Sequence, residues 1–457
     1  MNFIKLTASF FVLGTMLMAC GEKVDTPDTP EPEDTVIDKP FKPAADKWYV
    51  YKKADKVEDG KYYIMLATDR IAVPFASDAA YGYMNTTGVI ADNGEIVYRG
   101  KGALRFTKFG DGFIITQLSD ERCLYMTESY NSFNLAKTPP SDGHIWLASS
   151  EKGTFTIKNR QKNKFIQYDP EYRTFASYED LRGVKPCLYE CVEETEAPAE
   201  PRYDAVPAWM ELPETKDNDG LDFYVHSHVL NGKWERNWSF DYDESAYLAH
   251  WVAYPLNDGL VGKGSRTNAW AYDPLISKEK QPSLFKSYEG DWQRGHQLPS
   301  ADRLDYDANV STFYFSNMAP QNGVLNEGVW AELERRVREW SSSFDTLYVV
   351  TGCSIKGSDT FTKDNVGKSV PVPVGFYKAL LGYSKSGNVA GAAQNGGFAG
   401  CAFWFDNKPY TGSYMKQVMT IADLEKKLDM DLFVNLPSKI DKDMVKRVET
   451  TVNDWWK

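Results

Sequence analysis

The run EETEAPAEPR, Glu193 to Arg202, constrains this chain more than any other stretch, because it has almost nothing to bury. Acids, prolines and alanines cannot offset the entropy of ordering a backbone, so such a segment connects bodies and does not form one. A second shift of this kind covers residues 21–45, rich in Pro, Asp, Glu, Thr and Lys. At 457 residues the chain is also too long for one ordinary core. The expected organisation is a tether over 20–45, a body over 46–194, a linker over 195–204 and a second body over 205–457.

The body over 46–194 reads as all-β. Short apolar or aromatic runs alternate with turn signals at Asp59-Gly60, Asn93-Gly94 and Asp111-Gly112. They also recur. Phe113-Ile114-Ile115 returns as Phe155-Thr156-Ile157, Cys123-Leu124-Tyr125 as Phe165-Ile166-Gln167, Phe133 as Phe175 and Trp146 as Leu188, each displaced by about 42 residues. A looser first copy starts at Tyr62-Tyr63-Ile64 and ends near Leu104-Arg105-Phe106. Three copies of about four short strands resemble a β-trefoil. That resemblance says little about function: such domains often bind sugars, but no strict carbohydrate signature is visible, and the reading of Trp146, Tyr168 and Tyr172 as a platform for a glycan or another ligand stands against the more usual one that places these rings in the core and the turns. His144 reads as a loop residue.

At the N-terminus, Lys5 precedes an apolar stretch from Leu6 to Met18, too short to span a bilayer, and Leu17-Met18-Ala19-Cys20 follows. The pattern resembles the lipobox of bacterial lipoproteins. It implies a signal peptide over 1–19, cleavage before Cys20, lipid on its thiol, and an exported, membrane-anchored protein at the periplasmic or outer-membrane surface. Of the other cysteines (Cys123, Cys187, Cys191, Cys353 and Cys401), no pair has zinc-ligand spacing with histidines nearby. Export permits disulfides, and Cys353 and Cys401, each in a strand-like apolar run, are expected to pair.

The second body holds the informative block. The net charge of −12 argues against a basic clamp over the whole surface, yet leaves room for a local patch of arginines with a metal. GDWQRGHQLPSADR, Gly290 to Arg303, sets Arg294 and His296 around a glycine in an expected loop. FYFSNMAPQNGVLNEGVWAELERRVREW, Phe313 to Trp340, begins with an expected strand over Thr312–Phe315 and enters a helix. Val329, Trp330, Leu333, Val337 and Trp340 form its apolar stripe. Asn326 falls in its first turn, and Glu334, eight residues on, projects from the same side. These types suit phosphodiester hydrolysis. A histidine can act as a base near neutral pH, an amide oxygen suits hydrated Mg²⁺, a carboxylate can hold that ion's waters, and arginine matches phosphate. His226, His228 and His250 lack such company and read as structural or surface. Asp217 to Gly220 reads as a polar turn, lacking the rest of a calcium loop.

The block resembles the DNA/RNA non-specific endonuclease family, whose sites carry the ββα-metal (His-Me) finger. The family's D-R-G-H with a trailing proline stands here as Gln293-Arg294-Gly295-His296 with Pro299, its S-N-x-x-P-Q as Ser316 to Gln321, and its L-N-x-G-x-W-x-x-L-E as Leu325 to Glu334. The similarity reaches upstream to Trp251-Val252-Ala253-Tyr254 and Asp273-Pro274-Leu275, and downstream to Thr420–Phe433. It implies an α+β nuclease domain following the all-β one, and a nucleic-acid substrate, DNA or RNA, cut to 5′-phosphate ends. His296 would be the general base and Asn326 the ligand of Mg²⁺ (or Mn²⁺). Glu334 would steady metal-bound water, Arg294 the phosphate, and Asn317 and Gln321 would shape the site by hydrogen bonding. Two departures stand out. Gln293 replaces the usual aspartate, and Asn268 stands where the family has an arginine two residues before a tryptophan, with Arg266 as the nearest substitute. The rival expectation is a surface lipoprotein that binds a glycan or other ligand through its trefoil and carries a degenerate nuclease domain.

Overall fold

Equivalent positions of the recurring segments converge on one core, which explains why residues 46–194 fold as strands. The computed structural model describes residues 41–203, 206–215 and 221–457. The signal segment, Cys20, most of the tether and the Asp217–Gly220 run lie outside the described residues. Tyr63 and Met65, Phe113 and Ile115, and Phe155 and Ile157 point inward from Tyr62–Ala67, Gly112–Gln117 and Thr154–Asn159. Alternate residues of a strand share a face, so each copy delivers two side chains to the same centre. Phe133, Phe175, Trp146 and Leu188 join them there. The first copy is completed by both ends of the body, since Cys187–Thr195 pairs with Tyr62–Ala67, placing Cys187 opposite Leu66.

That last strand runs further than the composition suggested. Glu193, Glu194 and Thr195 pair with Val50, Tyr49 and Trp48, and Lys47 Nζ meets the Glu194 carboxylate at 2.6 Å. Exposed acids on a strand beside a lysine look like linker when only composition is read. Trp146 and Tyr168 are buried, whereas Tyr172 is 58% exposed, so the three do not form one platform. His144 is buried and packs edge-on to Phe109.

From Leu221 onward a seven-stranded antiparallel sheet forms, ordered along the chain as 221–230, 233–243, 248–256, 346–354, 375–383, 398–406 and 418–419. Both faces are covered, and the period-2 alternation shows it. Phe376 and Leu380 face the helix Ala331–Ser341, which brings Leu333, Val337 and Trp340, while Tyr377, Ala379 and Leu381 face Ile421, Leu424, Val445 and Val448 of two later helices. The expected helical stripe is buried in full. The expected Cys353–Cys401 disulfide is absent: both thiols are free. The strand Gly375–Tyr383 lies between theirs, with Cys353 opposite Phe376 and Cys401 opposite Leu380. Two strand spacings of about 4.8 Å each already exceed the roughly 7 Å Cα separation a disulfide tolerates.

Lys42–Lys457 form one compact unit, and the all-β body is fastened to the second sheet. Arg70 grips Asp305 with two hydrogen bonds, Nη2 to Oδ1 at 2.8 Å and Nη1 to Oδ2 at 3.3 Å, both side chains about 95% buried. Thr87 donates to Asp307 at 2.9 Å. Gly88 lies so close to the Val229 carbonyl that a Cβ there would sit 2.2 Å from its oxygen. Among the described residues no helix is long and apolar enough to cross a membrane.

Candidate active site

A short hairpin and a helix hold the site. Trp292–His296 runs antiparallel to Met318–Asn322, placing Gln293 opposite Gln321 and His296 opposite Met318. His296 therefore ends a strand, where a loop was expected, and Thr312–Phe315 is a turn, where a strand was expected. The cause is Asn317. Its fully buried amide donates to the carbonyls of Thr312 (2.8 Å) and Leu298 (2.9 Å) and accepts from Leu298 N–H (2.9 Å). It thereby folds the turn onto the segment leaving His296. Asn322 caps the helical turn after the hairpin, accepting from Val324 and Leu325 N–H. A widened helical turn over Asn326–Trp330 precedes the regular helix Ala331–Ser341; such turns recur at functional sites.

A cavity of 510 Å³ brings together His296, Arg294, Arg266, Asn326, Gln293 and Glu334. Trp270, Ser300, Glu327 and Pro299 are also in its wall. Asn317 acts from behind, through the turn it folds. Gln321 does not hydrogen-bond as expected: it is fully buried, neither amide atom has a partner among the described residues, and its side chain packs under Gly295. A Cβ at Gly295 would lie 2.4 Å from Gln321 Oε1, so the glycine is what lets the two strands close here.

His296 is held neutral. Burial, then the charges of Arg266 and Arg294, push its pKa down to about 3, and a hydrogen bond with the Arg294 backbone opposes them only in part. Among the described residues the buried Nε2 has no partner, so the ring keeps one nitrogen unused. The ring packs at a tilt against Trp270 (5.5 Å) and in a T-shaped contact with Phe313 (5.2 Å). Arg294 stacks on Trp270 with its guanidinium carbon 3.5 Å from the ring centre and donates to the Leu284 carbonyl at 3.0 Å. Asn268 compensates for its own substitution. Its Oδ1 accepts from Arg266 Nε at 2.8 Å, while Arg266 Nη1 donates to Ser300 Oγ at 2.8 Å.

Asn326 and Gln293 are joined. Asn326 Nδ2 donates to Gln293 Oε1 at 2.7 Å, and Gln293 Nε2 donates to Glu327 Oε1 at 2.6 Å. With the Asn326 nitrogen engaged, its carbonyl oxygen is the atom left for a ligand. Glu334 has its pKa raised by burial and by Asp302, against the opposing charges of Lys378 and Arg338. Asp302 is itself held by Tyr254 O–H at 2.7 Å and Arg338 at 2.8 Å. Sequence reasoning missed Trp270, Ser300, Glu327, Asp302 and Lys378. Lys378 alone carried a signal, as the one charge within the apolar strand GFYKALLGY. His226 is structural, buried against Phe240 and bonded to Asp273 at 2.8 Å. His228 is buried, and half-buried His250 lies 3.3 Å from Asp243.

Residues 229–439 match the family of DNA/RNA non-specific endonucleases. Similar proteins include the mitochondrial nuclease EXOG of Danio rerio, 30% identical over 228 residues (46% of this chain, 60% of that protein). The nuclease of Serratia marcescens is 24% identical over 233 residues (50% and 80%). A solved chain of the EndoG/EndoGI complex aligns with a TM-score of 0.35 at 23% identity, covering 46% of this chain and 86% of that one. The chain spans about half the length of the curated relatives it matches first, from 42% to 60%. The likeness to DNA/RNA non-specific endonucleases thus lies in residues 229–439.

Proposed function

We propose that the chain is a metal-dependent, sequence-non-specific endonuclease that hydrolyses phosphodiester bonds of DNA or RNA and leaves 5′-phosphate ends. The observation that carries this is the unpartnered Nε2 of a neutral His296 in one cavity with two arginines, an amide oxygen and a carboxylate. His296 takes a proton from a water as that water's oxygen bonds to phosphorus and the 3′ oxygen departs in line. Arg294 and Arg266 offset the charge gathering on the phosphate oxygens. Asn317 and Gly295 act earlier, by fixing where the histidine stands.

The donor set fits a hard divalent cation. Asn326 would hold it, with Glu334 and Glu327 orienting its waters. Among the described residues no three His, Cys, Asp or Glu gather as a ligand cluster, which suits an ion that keeps most of its water, as Mg²⁺ and Mn²⁺ do. When bound, the cation supplies charge neutralisation at a phosphate oxygen and at the leaving 3′ oxygen. Lack of base selectivity follows if contacts run to backbone and sugar. We assign residues 46–194 to a β-trefoil on the strength of their three-copy core, and the segment around Cys20 to a lipid anchor holding the protein at the periplasmic or outer-membrane surface.

The test is digestion of plasmid DNA and of RNA with Mg²⁺, with and without chelator. Cleavage should vanish with chelator, and His296→Ala should slow it by about 10²–10⁴-fold. Wild-type protein that nicks neither polymer with metal present would refute the proposal.

A further inference from the structure

We infer that a second cavity, joined to the first at Arg266, holds unpaired nucleotides flanking the cut; this rests on the nuclease reading above. The cavity has a volume of 1220 Å³ and opens where the all-β body meets the second sheet. Arg266 lines both spaces. One wall comes from the all-β body and carries Tyr81, Tyr83 and Tyr172, which are 70%, 50% and 58% exposed. The facing wall, residues 262–268, carries the exposed cations Lys263 and Arg266. The space thus offers π faces, chiefly from the all-β body, together with the cations Lys263, Arg266 and Arg182, the combination that suits bases and backbone of a single strand. A base can lie flat on a tyrosine only when it is out of its pair, so the occupant is unpaired.

Asp78, Asp169 and Glu171 line the tyrosine side beside Arg182, whose guanidinium carbon lies 3.9 Å from the Tyr178 ring centre, and Lys263 reaches across to the Glu171 carbonyl, so cations from both walls are available to a backbone. Asp169 is committed to structure, accepting from Tyr178 O–H at 2.7 Å and from the Glu171 and Tyr172 N–H groups at 2.9 and 3.3 Å. Those bonds shape the turn that displays Tyr172. The buried Arg70–Asp305 pair fixes one wall against the other, so the space does not depend on a closing motion. Its volume exceeds the range of about 300–1,000 Å³ usual for small-ligand sites, leaving room for more than one nucleotide. A glycan would also stack on tyrosines. It would make no use of a cation shared with the hydrolytic cavity, and this continuity favours the strand.

The test uses the full chain with Tyr81, Tyr83 and Tyr172 all changed to alanine, and a matching set changed to phenylalanine. Binding of a fluorescein-labelled 12-mer of oligothymidylate is read by anisotropy in chelator, and its cleavage is read with Mg²⁺. The alanine set should bind at least about tenfold more weakly and show the loss in KM, while the phenylalanine set recovers, because stacking needs the ring and not the hydroxyl. A duplex of the same length should discriminate less between the two sets. Unchanged affinity of the alanine set overturns the inference, as does a loss confined to neutral oligosaccharides. If wild type fails to cut but tyrosine-dependent binding persists, the hydrolytic reading fails and the strand site stands. If it cuts and the tyrosines are indifferent, only this inference fails.

Discussion

Replacing Gln293 with aspartate probes how charge is arranged around Asn326. In the native site the Gln293 amide accepts from Asn326 at 2.7 Å and donates to Glu327 at 2.6 Å. Aspartate can accept but cannot donate, so Glu327 would lose its donor and face a second anion. Two like charges 4 Å apart repel by about 4 kcal/mol at an effective dielectric near 20 and by about 1 kcal/mol in water. Glu327 is exposed and Gln293 half-buried, so the lower part of that range applies, about 1–2 kcal/mol. Gln293→Asp alone should therefore cut kcat/KM by roughly 5–30-fold, although it restores the residue the family usually has. Gln293→Asp with Glu327→Gln, which returns a donor to the aspartate, should recover part of that loss, the remainder reporting the Glu327 carboxylate's share in orienting the cation's waters. The assay is kcat/KM for plasmid nicking at fixed Mg²⁺ for the four proteins of the cycle. Effects that add to within about 0.5 kcal/mol would show that the two side chains do not communicate and would refute the reasoning.

Three further outcomes are expected. Arg70→Met leaves Asp305 buried with Arg173 at 4.0 Å as its remaining ion pair among the described residues, so urea unfolding should report a loss of about 3–5 kcal/mol, and Arg70→Met with Asp305→Leu should regain most of it. His228 is held near pKa 3 by burial and by Arg303 and Arg70, so the unfolded chain binds its proton below about pH 6.5 while the folded one does not. Its contribution is complete above that pH and falls away as the solution is acidified toward 3, by about 2 kcal/mol at pH 5; His228→Gln should flatten the melting temperature between pH 7 and 5. Gly295→Ala must push Gln321 away from a Cβ 2.4 Å from its Oε1, shifting the strand that ends in His296. Activity should drop at least tenfold with a stability loss of about 1–3 kcal/mol, read together by nicking rate and thermal melt.

Local patterns were readable because they depend on short spacings. The 42-residue recurrence announced a shared β core, and the stripe from Val329 to Trp340 announced a buried helix face. The ordered block from Gln293 to Glu334 named the residues that gather in the 510 Å³ cavity. What misled were contacts made across long separations. Thr312–Phe315 has strand-forming residues, yet Asn317 bends it by reaching back to Leu298. Cys353 and Cys401 looked alike in sequence, but a strand separates them. Glu193–Thr195 carried linker composition and still joined a sheet, because Lys47 and the strand from Trp48 were waiting for it.

Amino-acid order alone thus determined which side chains can do chemistry here, since a base, an amide oxygen and two arginines are covalent facts. Tertiary structure alone decided how they are poised. Burial beside Arg266 and Arg294 keeps His296 neutral, Asn268 aims an arginine displaced by two positions, and Gln293 spends its amide on Asn326 and Glu327. It alone also placed three exposed tyrosines of the first body opposite the cations of the second. The reason is physical: a pKa, a hydrogen-bond partner and a cavity wall are set by what lies within a few ångströms in space, and no spacing along the chain encodes that distance.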